Sequence, residues 1–591
     1  MKKNYLLSAA AVMALGANAQ SWHEGDIKWV ESTQLASNVS KWKTSHKLTE
    51  DDNFFISRVR PRLRFQNTGT QIRENLEWGV NDKRLTAWLP INNNFEGNRN
   101  ALPTGEFDSE CFTMWSYVDH FGNWSCPLGG IPGNFSDVAH KNGVVVSSVA
   151  GIPFGGITSA WNSALQQMGN MNAEDAAKML VYYGHDGIGY NSEFSGYYYL
   201  AKLRTMHQNL ITNINKFYSE AVPGYDMAEN MWYDGTNDNG SISFDQGLAG
   251  HNIKTWGPLG EERTSLFLNY NWNRSTTMTR SVENAASQSY GKGRNPLYLY
   301  CGINMQGSEP RGTSWPLLTD VNLSIGLWGA HSENMFWQHR GEDGSTVQAK
   351  QNTYQGRLEN WFTGGTRNPA NCPVPKSVTS LNSHDKEFQG MSYFMSARSA
   401  MKWDLSEAPF YSFFNIGNGC FFNWKGVRAN GSEWYNIGVQ DYMPTWRWWL
   451  TSKFLGKESS DVPESGVKAS FTWDDAYVGG SCLRVNGTTD EEYLHLFKTS
   501  YALQAGDVIT FRYKLVAGRG NVDVVLSVDG KESEIAKRIN VCTTEQMFDD
   551  GEWVSKTYTV ANSDGLAGET LAMVALGFKD AAAMDLYAGE F

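Results

Sequence analysis

Between about residues 80 and 335 the sequence alternates short apolar runs with stretches of helical periodicity, which points to parallel strands joined by helical crossovers. Eight runs have strand character: Leu85–Leu89, Phe112–Val118, Val144–Val149, Gly187–Tyr190, Met231–Tyr233, Leu266–Tyr270, Leu297–Cys301 and Leu323–Leu327. The intervening pattern predicts helices, among them Ala173–Tyr183 and Leu200–Tyr218. Eight such units predict an α/β fold, a (β/α)8 TIM barrel, whose chemistry sits at the C-terminal ends of the strands. The residues expected at those ends are Asp119, Asn191, Glu193, Asp234, Asn269, Trp272 and Asn304. A barrel core is satisfied by branched aliphatics alone, so polar and aromatic groups there indicate a site.

From about Ser459 the rhythm changes. Val508–Leu515, Val522–Val528, Trp553–Val560 and Leu571–Phe578 are short, β-rich and separated by turn residues, which predicts a C-terminal antiparallel β-sandwich. The expected organisation is a signal peptide over 1–19, an N-terminal extension over 20–79, a catalytic barrel over 80–365, a connecting region packed on it over 366–458, and a carbohydrate-binding-like sandwich over 459–591. The signal reading rests on Lys2 and Lys3, the apolar run Leu6–Leu15, and the small-x-small site Ala17-Asn18-Ala19, which would leave Gln20 first. No later run is long and apolar enough for a membrane span. An exported protein is expected: periplasmic, cell-surface or extracellular.

Composition narrows the partners. The formal charge is −12 and no basic stripe stands out, which argues against nucleic acid. The 23 Trp are roughly three times an ordinary share. Such an excess with few charges suits a protein that stacks on neutral, hydroxylated ligands, sugars above all. The seven Cys are scattered without a Cys-x-x-Cys pair. They are expected to be buried single thiols, with a Cys111–Cys126 bridge as the alternative. No His/Asp cluster has metal-ligand spacing, so neither a metal nor another cofactor is expected. Trp446-Arg447-Trp448-Trp449 reads as a packing seam between domains.

The segment His185-Asp186-Gly187-Ile188-Gly189-Tyr190-Asn191-Ser192-Glu193 carries the chemistry. Residues two apart in an extended chain point to one side, so Asn191 and Glu193 project together. A carboxyl beside a neutral amide suits glycoside cleavage, because burial without a second negative charge keeps the acid protonated. The second carboxylate that most glycosidases use is missing from this strand. A substrate bearing a 2-acetamido group can replace it, since its own carbonyl oxygen can attack the anomeric carbon. Such an enzyme needs a proton donor and a residue to hold the amide.

Several segments in order resemble the endo-β-N-acetylglucosaminidases of glycoside hydrolase family 85. These are Trp115-Ser116-Tyr117-Val118-Asp119, Ala139-His140-Lys141-Asn142-Gly143-Val144, Asp186 through Glu193, Met231-Trp232-Tyr233-Asp234-Gly235, and Phe267-Leu268-Asn269-Tyr270-Asn271-Trp272. Phe414–Gly419, Trp434–Asn436, Gln440–Trp446 and Asp475–Ser481 continue the likeness. The resemblance implies cleavage of the β-1,4 bond in the GlcNAc-GlcNAc core of N-glycans by a retaining, substrate-assisted mechanism. It implies Glu193 as general acid and then base, Asn191 as holder of the acetamido group, and Tyr233 as its support. Trp272 and Phe244 become aromatic platforms, with Asn269, Asp119, Trp115 and Asp234 as further substrate-binding residues. Phe244-Asp245-Gln246 departs from the family's Trp-Gln-Asn, and Gly189 departs from a bulkier residue. Two rivals stand beside this reading. A chitinase-like endoglycosidase would use Asp-x-Glu, against Asn191. A non-catalytic glycan-binding protein fits the Trp excess but leaves the Asn191/Glu193 pair without a task.

Overall fold

The computed structural model describes residues 27–30, 35–88, 102–107, 111–123, 128–150, 155–156, 159–195, 200–236, 240–252, 256, 264–304, 315–328, 346–377, 390–543 and 551–591. The leader over 1–19 and Cys126 lie outside these residues.

Eight parallel strands close into a barrel: β1 (Leu85–Trp88), β2 (His120–Asn123), β3 (Val145–Ala150), β4 (Gly187–Tyr190), β5 (Asn230–Tyr233), β6 (Thr264–Leu268), β7 (Leu299–Asn304) and β8 (Ser324–Trp328). Each pairs with its neighbour in sequence, and β1 closes the ring on β8 through Leu85↔Ile325 and Trp88↔Trp328. The helices are α1 (Leu35–Ser45), α2 (Gly133–Lys141), α3 (Ser159–Gly169), α4 (Ala173–Tyr183), α5 (Leu200–Ser219), α6 (Ser275–Ala286) and α7 (Val347–Thr363). No described helix is long and apolar enough to cross a membrane.

The strand expected over Phe112–Val118 is not one. Trp115–Tyr117 is a 3-10 turn, and the second strand starts at His120. Asp119 explains the shift. Its N–H donates to Leu85 O at 2.9 Å and its Oδ2 accepts Leu85 N–H at 2.9 Å, so pairing with β1 begins beyond it. Phe112, Trp115, Tyr117 and Val118 are buried beneath the barrel instead, and an apolar run alone does not separate a buried turn from a strand.

Asp119 is also the centre of a buried charge network at the barrel base. Arg64 of the N-terminal extension reaches Oδ1 at 3.1 Å, and Arg398 of the connecting region reaches Oδ2 at 2.8 Å. Arg398 also pairs with Asp82 at 3.0 Å. Burial pushes the Arg64 guanidinium down to about 10, which leaves it charged at neutral pH. The extension is tied further by a Phe65↔Ser399 bridge and by Asn67 Nδ2 donating to Asp529 Oδ1 at 3.0 Å.

The start of β4 is set by local chemistry. Asn172 caps α4 by accepting from the N–H groups of Glu174 and Asp175 at 2.9 and 3.2 Å. Gly184 ends that helix with a left-handed φ of 86°. Asp186, next in line, accepts from Val146 N–H and His140 Nε2, both at 2.8 Å, and from the Tyr225 hydroxyl. Two neighbouring elements and the following loop therefore fix the strand that leads to Asn191.

The C-terminal sheet comprises β9 (Trp449–Thr451), β10 (Lys468–Thr472), β11 (Cys482–Ala502), β12 (Val508–Val528), β13 (Lys537–Cys542), β14 (Val554–Thr559) and β15 (Thr570–Glu590). Two runs expected as separate strands, Val508–Leu515 and Val522–Val528, are one 21-residue strand. Strands of that length stay continuous because bulges bend them, here between Gly487 and Thr489 and between Leu515 and Asn521. The antiparallel regions form the sandwich around Val485, Leu494, Val524 and Leu586. The sheet recruits Trp449–Thr451 from the segment expected to be only a connector. Arg447 stands at the seam in a left-handed conformation, φ 69°. Its Nη2 donates to Thr113 O at 2.8 Å, and its guanidinium lies over Trp448 and Phe471 at 5.5 and 5.0 Å.

Replacing Arg398 by Met should cost about 3–5 kcal/mol of unfolding free energy, because Asp82 and Asp119 lose a buried counter-charge. Denaturant unfolding measures this. An unchanged midpoint would show that the network at the base contributes nothing.

Candidate active site

At the end of β4 the chain continues as Asn191-Ser192-Glu193. Ser192 turns sideways onto β5, where its Oγ donates to Tyr233 O at 2.6 Å and accepts Tyr233 N–H at 3.1 Å. Its carbonyl accepts the N–H of Thr236. Gly235 makes that approach feasible, since a Cβ there would lie 2.4 Å from Ser192 O and 3.2 Å from Glu193 Cγ. With Ser192 pinned outward, Asn191 and Glu193 both face the barrel mouth.

They open onto a cleft of about 500 Å³, counted to its solvent-filled mouth. Trp88, Met231 and Phe267 form an apolar floor, Tyr190 and Trp328 stand at the sides, and Asn191, Glu193, Tyr233 and Tyr270 supply the polar groups. The floor exists because four strand positions carry no side chain. A Cβ on Gly122 or Gly189 would lie 2.2 Å from the Trp88 ring. A Cβ on Gly302 or Gly326 would lie 2.6 or 2.4 Å from the Phe267 ring. Gly189, a departure from the family pattern, is thus matched by an indole that fills its place. The Trp88 Nε1–H donates to Met231 Sδ at 3.1 Å.

Burial raises the Glu193 carboxyl above the usual glutamate range, and the hydrogen bond from Asn191 only partly opposes it. Asn191 gives its amide N–H to that carboxyl. Its Oδ1 is buried and has no hydrogen-bond partner among the described residues. A buried acceptor without a donor is costly and rare. The Tyr233 hydroxyl donates to Asn269 Oδ1 at 2.7 Å and is hydrogen-bonded to the Tyr270 hydroxyl. Burial, with Glu193 nearby, pushes both phenols up, so both stay protonated.

The structure brings Glu193, Asn191 and Tyr233 together on the cleft, with Asn269 behind Tyr233. Phe244 sits beside Tyr233, ring centroids 5.9 Å apart. Asp234 is buried behind this wall and faces a loop, accepting from Asp245 and Gln246 N–H and from Asn252. Burial pushes its carboxyl up to about 7 against those donors. Besides Asp234, three expected substrate contacts fall elsewhere. Trp272 is fully buried and its Nε1–H is spent on Gly302 O at 2.7 Å, so it is core rather than a platform. Trp115 and Asp119 precede β2 and lie at the opposite end of the barrel, Asp119 held by two arginines.

Tyr270, Trp88 and Trp328 were missed as cleft residues. Tyr270 closes the expected sixth strand and Trp88 lies in the expected first, so position alone pointed to both. Nothing in the sequence marked them off from the other aromatics. Among the described residues lining the cleft there is no second carboxylate. Among the described residues, no group of three or more His, Cys, Asp or Glu could hold a metal ion.

The sequence profile described as Glycosyl hydrolase family 85 matches residues 93–422. No curated protein matches the chain. The crystal structure of the glycoside hydrolase domain of Endo-D from Streptococcus pneumoniae R6 is similar, with a TM-score of 0.73 at 20% identity. That likeness covers 95% of this chain and 82% of the other, and bears on the fold. A β-1,3-glucan binding module of Bacillus halodurans is 15% identical over 21% of this chain and 84% of its own, with a TM-score of 0.16.

Gly189→Ala tests the floor. The added methyl meets the Trp88 ring, so overpacking should cost about 1–3 kcal/mol. Thermal unfolding measures it; unchanged stability would mean that the ring has room to move.

Proposed function

The chain belongs to glycosyl hydrolase family 85 and is a glycoside hydrolase, and we propose that it cleaves the β-1,4 bond between the two GlcNAc residues of the N-glycan core, leaving one on the peptide. The observation that carries this reading is the unpartnered Asn191 Oδ1 beside a carboxyl whose pKa is raised by burial. A 2-acetamido group supplies the N–H that this oxygen lacks.

In the proposed reaction the acetamido N–H donates to Asn191 Oδ1. This turns the carbonyl oxygen toward C1 and raises its nucleophilicity. That oxygen attacks C1 as the bond from C1 to the departing sugar oxygen breaks. Protonated Glu193 gives its proton to the leaving oxygen, and a cyclic oxazolinium ion remains. Water then adds to C1, loses a proton to the Glu193 carboxylate, and reopens the ring. Two displacements on one carbon give net retention. Among the described residues lining the cleft, Glu193 is the single carboxylate, which fits an internal nucleophile. Tyr233, its proton held by Asn269, bounds the acetamido side.

We also propose export. Lys2-Lys3, Leu6–Leu15 and Ala17-Asn18-Ala19 support it, and the intact mass of protein recovered outside the cytoplasm should correspond to a chain starting at Gln20. A recovered chain that keeps Met1 would sink this part of the reading.

Mass spectrometry of a defined high-mannose or core-trimmed N-glycopeptide should show a peptide bearing a single GlcNAc. Glu193→Gln should lower the rate by about 10²–10⁴-fold. In the wild type, kcat/KM should fall as pH rises through the raised Glu193 pKa, since only the protonated carboxyl can donate. Wild-type activity in Glu193→Gln would remove Glu193 from the chemistry. Binding without cleavage would favour a glycan-binding role.

A further inference from the structure

Asp234 touches no part of the cleft, yet its buried carboxylate gathers donors from two segments that build the cleft's wall. Its Oδ1 accepts Asp245 N–H at 3.2 Å and Asn252 Nδ2 at 2.8 Å. Its Oδ2 accepts Gln246 N–H at 2.7 Å and Asn269 N–H at 3.4 Å. The first three lie in the loop that carries Phe244. The fourth leads into Asn269, the partner of the Tyr233 hydroxyl, and Tyr270, on the cleft itself. The Asp234 N–H is held by Phe267 O at 2.9 Å, which fixes the residue directly after Tyr233 to β6.

Two further observations show that the loop is held rather than loosely placed. Gln246 adopts a left-handed φ of 61°, a conformation that costs energy outside glycine and persists where surroundings over-determine it. Its Oε1 accepts Asn271 N–H at 2.9 Å, a second link from the loop to the end of β6. Within the loop, Asp245 accepts the N–H groups of His251 and Asn252 at 2.8 and 3.3 Å.

We propose that Asp234 is a positioning residue that locks the Phe244 loop and the Asn269–Tyr270 segment together, so that Tyr233, Tyr270 and Phe244 form one wall facing Asn191 and Glu193. The chemistry of the anchor is specific. Four N–H donors converge on two oxygens, and a carboxylate presents acceptor lone pairs to all of them. An asparagine of the same size replaces one oxygen with an NH2 group and sets it against N–H donors. The wall then loosens while the acid and the amide-holding residue, anchored separately through Ser192, stay in place.

The function of the wall rests on the proposed glycan cleavage; the anchor itself does not, and the experiment separates them. The full chain, Asp234→Asn and Gln246→Ala are compared by hydrogen–deuterium exchange and by steady-state cleavage of a defined N-glycopeptide. In Asp234→Asn the amides of Gln246 and Asn269 should exchange faster while those of β1 to β4 do not. KM should rise about tenfold with kcat held within about threefold, the signature of lost binding geometry rather than lost chemistry. Gln246→Ala should speed exchange at Asn271 and raise KM less. Unchanged exchange at Gln246 and Asn269 in Asp234→Asn overturns the proposal. So does a large fall in kcat at unchanged KM, which would put Asp234 on the reacting atoms. If the wild type cleaves no glycopeptide, the functional reading fails, while the exchange data still decide the anchor.

Discussion

One buried carboxylate, Asp119, joins three parts of the chain that are remote in sequence. It sets the register between β1 and β2 through Leu85, and it holds Arg64 and Arg398 from the extension and the connecting region. A buried ion costs several kcal/mol to desolvate, and the attraction offsets this only when the remaining lone pairs and protons are satisfied. Here both carboxylate oxygens are occupied, and Arg398 spends a further N–H on Lys83 O at 2.9 Å. This charged network lies at the barrel base. At the mouth, Glu193 is surrounded on the cleft by neutral polar groups and aromatic rings among the described residues.

That separation shapes the chemistry at the mouth. Beneath the Trp88 ring lies His120, its ring centroid 5.5 Å away, held by Thr86 and Ser147 and pushed down to about 4 by burial. It stays neutral near pH 7, so the imidazole adds no positive charge beneath the Trp88 ring, and the Arg84 guanidinium deeper in the barrel is paired with Glu229 at 2.5 Å. The phenols of Tyr233 and Tyr270 are bonded to Asn269 and to each other. Asn191 is the one hydrogen-bond donor that opposes the rise in the Glu193 pKa. The rise in the Glu193 pKa thus follows from its burial among an apolar floor and committed phenols, which Asn191 only partly opposes.

The barrel was legible because its strands are short apolar runs at regular spacing, and Ala173–Tyr183 because its helical periodicity is plain between two of them. The pair Asn191 and Glu193 was legible because alternation fixes where both point. Phe112–Val118 was misread because burial beneath a barrel and burial within a sheet demand the same residue types. Trp272 shows a related limit: an indole that packs and an indole that stacks on sugar look alike in sequence, and only its hydrogen bond to Gly302 separates them. The space that Gly122 and Gly189 leave for Trp88 depends on three strands meeting, and no local pattern carries that. Asp234 read as a contact residue because it follows Tyr233; its four donors come from a loop and a strand end that only the fold brings near.

The extension's ties at Arg64, Phe65 and Asn67 bear on how the chain can be made. A ribosome releases these residues early, but Ser399 and Asp529, the partners of Phe65 and Asn67, follow more than 330 residues later. At about 5–20 residues per second the wait for Asp529 is on the order of half a minute or longer. During that time Arg64 has Asp119 within reach of synthesis, yet the pocket that buries them both is unfinished. The extension's last ties, to Ser399 and Asp529, form only once the connecting region and the sandwich strand before Asp529 have been made.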